Sequence, residues 1–293
     1  MLYEVLGVVT PVFIVAAIGF AWIKRGQPFD NETVSSLVMY IGSPCLIYSS
    51  LTSSTPTEAA LMTMIVAAAG SILLCGVLGA AILRLLKWPL PTYLPSLIQA
   101  NSGNMGLPLV LLAFGPEGLV LGMTLFFVNS ISQFTLGVAI SSGRFDPKTL
   151  LKQPVIWSVA LTLLLIFNDV QMPTWFNATA ELLGGLTIPA MLLMLGTSIA
   201  RLRAGGLAQA TWVSVLRLLL GFAVGHAMVW LLDLDGMIAG VIILQCTMPA
   251  AVFNYVFAER YNRQPDQVAA VVLQSTLLSL LTLPLLVGYV MAM

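Results

Sequence analysis

The sequence predicts an all-α polytopic membrane protein, and three observations carry that reading. Of the 293 residues, 59% are hydrophobic and only 8% are charged, with a mean hydropathy of +0.98. Soluble domains carry about 25% charged residues, and a water-facing surface cannot be built from so few. Apolar stretches close to the ~20 residues that cross a bilayer recur along the whole chain. The few charges, finally, are not scattered but sorted between alternate connections.

Ten spans are expected, at Tyr3–Ile23, Thr33–Leu51, Ala59–Leu83, Pro91–Phe114, Gly118–Ile140, Pro154–Phe167, Trp175–Ile199, Gln209–Leu232, Gly236–Phe257 and Gln267–Met291. The longest connection, Ser141–Gln153, carries the turn signal Asp146-Pro147. Residues 1–140 therefore read as one five-span half, 141–153 as a linker and 154–293 as a second half.

The charges test this count independently. Lys24, Arg25, Arg84, Lys87, Arg144, Lys148, Lys152, Arg201, Arg203, Arg260 and Arg263 are eleven of the twelve basic residues, and all fall on one side of a ten-span layout. The other side carries Glu4, Glu58, Glu117, Asp169, Asp233 and Asp235. The positive-inside rule then places the basic loops in the cytoplasm and both termini outside an inner membrane. The basic pair after the first span argues against a cleaved signal peptide. Trp22, Trp88, Trp157, Trp175, Trp212 and Trp230 all sit near span ends, at interfacial depth.

The halves echo each other. Pro44 in span 2 matches Pro189 in span 7, Pro108 in span 4 matches Pro249 in span 9, and Asn129-Ser130 in span 5 matches Gln274-Ser275 in span 10, at offsets of 145, 141 and 145 residues. Five spans is an odd number, so the second copy enters the membrane from the opposite side, as in the inverted repeats of secondary transporters.

The strongest local signal is Asn101-Ser102-Gly103-Asn104-Met105-Gly106-Leu107-Pro108 in mid-span 4. Pro108 withholds a backbone donor and is expected to free the Asn104 carbonyl; Gly103 and Gly106 permit unusual backbone angles. Lipid cannot satisfy such a backbone, so the segment must face protein or water. Gln245-Cys246-Thr247-Met248-Pro249 makes the matching break in span 9, with Asn254 about a turn later. If the two breaks cross, the N-termini of the outer half-helices suit a carboxylate, and the freed carbonyls suit a cation.

The string Asn101–Leu109, with Met248-Pro249-Ala250, Ala258-Glu259-Arg260-Tyr261 and Ser275 through Pro284, resembles the auxin efflux carrier family over essentially the whole chain. The resemblance implies crossed, broken helices 4 and 9, a scaffold of spans 1, 2, 6 and 7, a transport domain of spans 3–5 and 8–10, and a homodimer through the scaffold. It implies relation to bile acid/sodium symporters, and small carboxylates or auxin-like acids as substrates. In one respect the chain departs from its relatives: spans 3 to 5 and 9 to 10 hold no mid-depth Asp or Glu, so coupling through a membrane carboxylate loses its usual carrier.

The expected function is secondary transport of a small organic anion by elevator-type alternating access. Asn101, Ser102, Gly103, Asn104, Met105, Thr247, Pro249, Asn254 and Ser43 would form the substrate site, at a crossing framed by Gly106, Pro108, Gln245 and Met248. Asn129, Ser130, Gln133, Gln274 and Ser275 would either ligate a cation or tie helices together. Arg217 is read first as snorkelling to the cytoplasm or pairing structurally, and otherwise as a partner for the anion. His226 is read first as a packed hydrogen-bonding group, and otherwise as a proton relay. Gly221-xxx-Gly225 suggests close helix packing. The alternatives are a cation-coupled carrier of a neutral or steroid-like substrate and a non-transporting receptor. No HExxH, GxSxG or P-loop pattern is present, so an enzyme, a metal site and a bound cofactor are not expected, and the lack of a basic patch argues against nucleic acid.

Overall fold

The computed structural model describes residues 2–53, 57–145, 154–168, 170–201 and 207–293. Among them every regular element is helical. In order these are α1 (Leu2–Lys24), α2 (Asn31–Leu37), α3 (Ser43–Ser53), α4 (Glu58–Leu85), α5 (Leu90–Ile98), α6 (Leu107–Ser132), α7 (Val138–Ser142), α8 (Pro154–Phe167), α9 (Thr174–Arg201), α10 (Leu207–Leu231), α11 (Gly236–Cys246), α12 (Phe253–Arg260) and α13 (Pro265–Met291). Short π-helical turns at Val38–Gly42, Ser102–Gly106 and Gln133–Gly137 join α2 to α3, lead into α6 and join α6 to α7. The Asp146-Pro147 turn, Lys148, Lys152, Asp169 and Arg203 lie outside the described residues.

Seven helices among the described residues are long and apolar enough to cross a membrane. One of them, Ser102–Ser142, runs for 41 residues, about twice what a bilayer needs. It is not straight. Gly115 adopts φ 69°, ψ −165°, a region essentially closed to residues with a Cβ, and Pro116 follows it. The chain folds back there, which is why Asn129 reaches Ser102 and Gly122 faces Val110. The remaining apolar helices, α5, α8, α11 and α12, have 8 to 14 residues each.

Helix ends carry ordinary capping chemistry. The Asp30 carboxylate accepts from Glu32 N at 3.0 Å and from the Thr33 hydroxyl at 2.5 Å at the start of α2, and these bonds hold its pKa below the usual aspartate value. Thr57 caps α4, whose first turn holds Glu58 and whose last holds Arg84, both favourable to the helix dipole.

Burial is arranged as lipid solvent requires. Leu73, Leu85, Trp212, Leu219, Leu281 and Leu285 point outward and are exposed. α1 packs along α9, and α3 packs on both α8 and α9. α4, α5, α6, α10, α11 and α13 pack on one another around a second centre. Polar burial concentrates where α5 ends and α12 begins, with Gln99, Asn101, Ser102, Gln245, Asn254, Ser275 and Arg217 all buried.

Candidate functional site at the crossing of two unwound segments

The helix α5 stops at Ile98 and the helix α11 stops at Cys246. The extended residues that follow lie antiparallel, with Ala100 opposite Ala250. Asn101 N donates to Pro249 O at 2.8 Å and Ala251 N donates to Gln99 O at 3.0 Å. Backbone groups that neither helix can satisfy are thus satisfied by the other break, which is what a lipid-surrounded interruption demands. Side chains complete the pairing. Asn129 Nδ2 donates to Ala100 O at 3.1 Å and to Ser102 Oγ at 2.8 Å. Ser275 Oγ accepts from Ala250 N at 3.2 Å, and Asn254 Nδ2 reaches Gln99 O at 3.4 Å.

The break in the first half is displaced from its expected position. It lies at Gln99–Asn101, and Pro108 sits in the first turn of α6 rather than inside an interruption. The helical run nevertheless starts earlier, at the Ser102–Gly106 turn, so Pro108 withholds an amide inside it. Gly103 and Gly106 keep negative φ, so their purpose is space. A Cβ at Gly106 would lie 2.1 Å from Gln245 Oε1, and one at Gly103 would lie 2.7 Å from the Phe126 ring. In the second half the break falls at Pro249, as expected.

In front of the crossing lies a cavity of about 80 Å³. Ser43, Asn101, Ser102, Gly103, Asn104, Ser130 and Gln133 line its polar side, and Phe126, Phe127, Phe134 and Phe253 its apolar side. Among the described residues no Lys, Arg, Asp or Glu lines it. The beginning of the Ser102–Gly106 turn and the first residue of α12 face it, so two helix N-termini border the space. Two buried amide donors, Asn101 Nδ2 and Gln133 Nε2, have no protein partner. Behind the crossing a smaller cavity is bordered by Ser71, Cys75, Asn129, Arg217, Gln245 and Cys246.

Arg217 does not snorkel. It is 1% exposed, and its guanidinium donates to Leu97 O at 2.5 Å, Cys246 O at 2.7 Å and Met248 O at 3.1 Å. Its partners are therefore the carbonyls at the ends of α5 and α11. The close approach comes from Gly221 and Gly225, which face α11; a Cβ on Gly221 would lie 2.1 Å from Cys246 O.

Other expected site residues lie apart from the front cavity. Thr247 Oγ1 turns back to Ile243 O at 2.7 Å. Met105 is buried against Ser279, and Gln245 lies between Gly106 and Gly122 with both amide atoms unpartnered. Gln274 Oε1 accepts from Thr211 at 2.9 Å, tying α13 to α10. His226 bonds Phe222 O and the Tyr289 hydroxyl, each at 2.8 Å, away from the crossing. The cavity-lining phenylalanines and Gln99, which donates to Ser132 Oγ at 2.9 Å, went unread in the sequence. A glutamine two residues before Asn101, at the end of an apolar run, was the available signal.

Lipid-facing helices around a polar crossing of two interrupted segments define an integral multi-pass membrane protein with an internal cavity. A family model described as "membrane transport protein" matches residues 4–144 and 138–287, and the chain belongs to that family, in agreement with the resemblance to auxin efflux carriers. It is similar to an uncharacterized transporter of Methanothermobacter thermautotrophicus, 32% identical over 193 residues, and to one of Methanocaldococcus jannaschii, 24% identical over 195 residues. Each alignment covers 63% of this chain and 63% of the relative.

Proposed function

We propose that the protein carries a small organic anion, with one carboxylate head and an apolar body, across the inner membrane. The observation that carries this is the orphaned pair of amide donors, Asn101 Nδ2 and Gln133 Nε2, of two residues that line a cavity lined also by phenylalanines. A buried donor without a partner costs about 1–3 kcal/mol, and bonds to an ionised acceptor contribute about 1.5–3 kcal/mol each. A carboxylate answers both donors, and the two bordering helix N-termini favour its charge. A second carboxylate on the same ligand would lie against Phe126, Phe127, Phe134 and Phe253 with no Lys or Arg to meet it, at a cost of several kcal/mol.

The topology belongs to the same proposal. Ten passes form two inverted repeats; α1, α2–α3, α8 and α9 make the scaffold, and the remaining helices make the moving domain, with a homodimer through the scaffold. Gly42 packs on Thr187, its counterpart 145 residues on, which is expected where a repeat axis passes between the halves. The basic loops face the cytoplasm and both termini face outward. The cavity lining runs from Ser35, in α2 and ten residues after Arg25, to the crossing, and this supports access from the cytoplasmic side.

The test is competition for uptake into proteoliposomes. Monocarboxylates with an aliphatic or aromatic body are expected to compete, and matched dicarboxylates and neutral amides to compete at least tenfold less well. Asn101→Asp keeps the shape and replaces a donor with a negative charge; it should abolish uptake in protein that still melts cooperatively. Full uptake in that variant, or stronger competition by neutral analogues, would remove the anion from the chamber.

A further inference from the structure

The front of the crossing suits an anion; the back presents the opposite chemistry. There the C-terminal ends of α5 and α11 converge, and each helix end carries a partial charge of roughly −0.5, so the pair presents roughly −1. In interrupted membrane helices such ends, with their freed carbonyls, are where a coupling cation is coordinated. Here the carbonyls of Leu97, Cys246 and Met248 are already engaged, all three by the guanidinium of Arg217.

We propose that Arg217 is a resident counter-cation, seated where an inorganic cation would otherwise bridge the two inner half-helix ends, so that the carrier cycle runs without sodium. Three observations converge on this. The single positive charge matches the combined charge of the two helix ends. No carboxylate competes for it, since α10, α11 and α12 before Glu259 contain no Asp or Glu, and neither do α5 and the following residues up to Glu117. And α10 is built to deliver it, because Gly221, one turn beyond Arg217, lets the two backbones meet at Cys246. A planar fork that donates to three carbonyls leaves those oxygens turned toward N–H groups, and a sodium ion cannot share them. The charge also lies behind the pairing that holds Asn101, so it offsets the negative helix ends without binding the substrate itself.

The seat can be tested without any substrate, whereas its meaning for transport rests on the carrier reading. Purified protein in lipid nanodiscs is melted in sodium chloride and in choline chloride at equal ionic strength. Wild type should melt within about 1 °C in both. Arg217→Ala should melt lower, and millimolar guanidinium chloride, well below denaturing levels, should raise the melting point of that variant while leaving wild type unchanged. Arg217→Lys, which keeps the charge with a single donor head, should fall between the two and covers the case in which the alanine variant does not fold. A sodium-dependent wild-type melting point would overturn the proposal. So would a lysine variant no better than alanine, or an alanine variant indifferent to guanidinium. Initial uptake in sodium and in N-methylglucamine media should agree within about twofold, and a tenfold fall without sodium would overturn the coupling claim. If no carboxylate is taken up under either condition, the substrate reading fails while the melting result still decides the seat.

Discussion

The contact between α10 and α11 is the tightest test of how this crossing is held. Gly221 has an ordinary helical φ, so alanine there costs nothing in backbone strain. Its Cβ, however, would lie 2.1 Å from Cys246 O, where ordinary contact begins at 3.4 Å, a shortfall of about 1.3 Å. The obstacle is a backbone carbonyl, which cannot rotate aside as a side chain can. α10 must therefore retreat, and the 2.7 Å bond from Arg217 to the same carbonyl goes with it. Overpacking costs about 1–3 kcal/mol, and a hydrogen bond to a charged group is worth about 1.5–3 kcal/mol. Gly221→Ala should thus destabilise by roughly 2.5–6 kcal/mol, read as a shift in equilibrium unfolding in mixed micelles. Gly185→Ala in α9 is the internal control, because nothing lies within 4 Å of its added Cβ; it should be neutral or gain up to about 1 kcal/mol. If both variants unfold alike, close packing at Gly221 does not govern the position of Arg217.

Three further outcomes follow from individual bonds. Ser275→Ala removes the acceptor of Ala250 N at the crossing and should cost about 1–3 kcal/mol in the same unfolding assay. Gln245→Leu replaces an amide with both polar atoms unpartnered and should leave the melting point unchanged or raised; a fall would mean that a bound water or ion partners that amide. Tyr289→Phe deletes the partner of His226 Nε2 and should change stability by about 1 kcal/mol or less. Uptake should be unaffected and show the same pH profile as wild type, since the pair lies away from the chamber.

The helical class and the meeting of two interrupted segments were legible because they follow from composition and from groups that lipid cannot satisfy. The exact break was legible only where proline itself interrupts, at Pro249. In the first half Pro108 falls inside a helical run that starts at Ser102, and the unwound residues lie seven to nine positions before the proline, stabilised by a partner segment about 150 residues away in the chain. No local pattern encodes such a partner. For Arg217 the pairing reading holds and the snorkelling reading does not, for a related reason. Distance from a span end gives depth along a helix but not the direction a side chain takes around it, and burial at the crossing depends on where α11 ends. The clue in the sequence was the combination of freed carbonyls seeking a cation with a lone arginine one turn before Gly221. Gln133 was read with the polar network of helix ties and cation ligands; it lines the chamber with Phe126, Phe127 and Ser130, at helical spacing on one face of the same run.

The pairing of Ala100 with Ala250 also bears on how the chain is assembled. Once residues 99–101 have entered the bilayer, Gln99 O and Asn101 N lack these partners until the segment around Pro249 arrives. Each unmet group in hydrocarbon costs several kcal/mol. The nascent first half therefore waits in an unfinished state, exposed to quality control, and its maturation is tied to synthesis of residues near the far end. Fragments cut at the central linker should accumulate together or not at all.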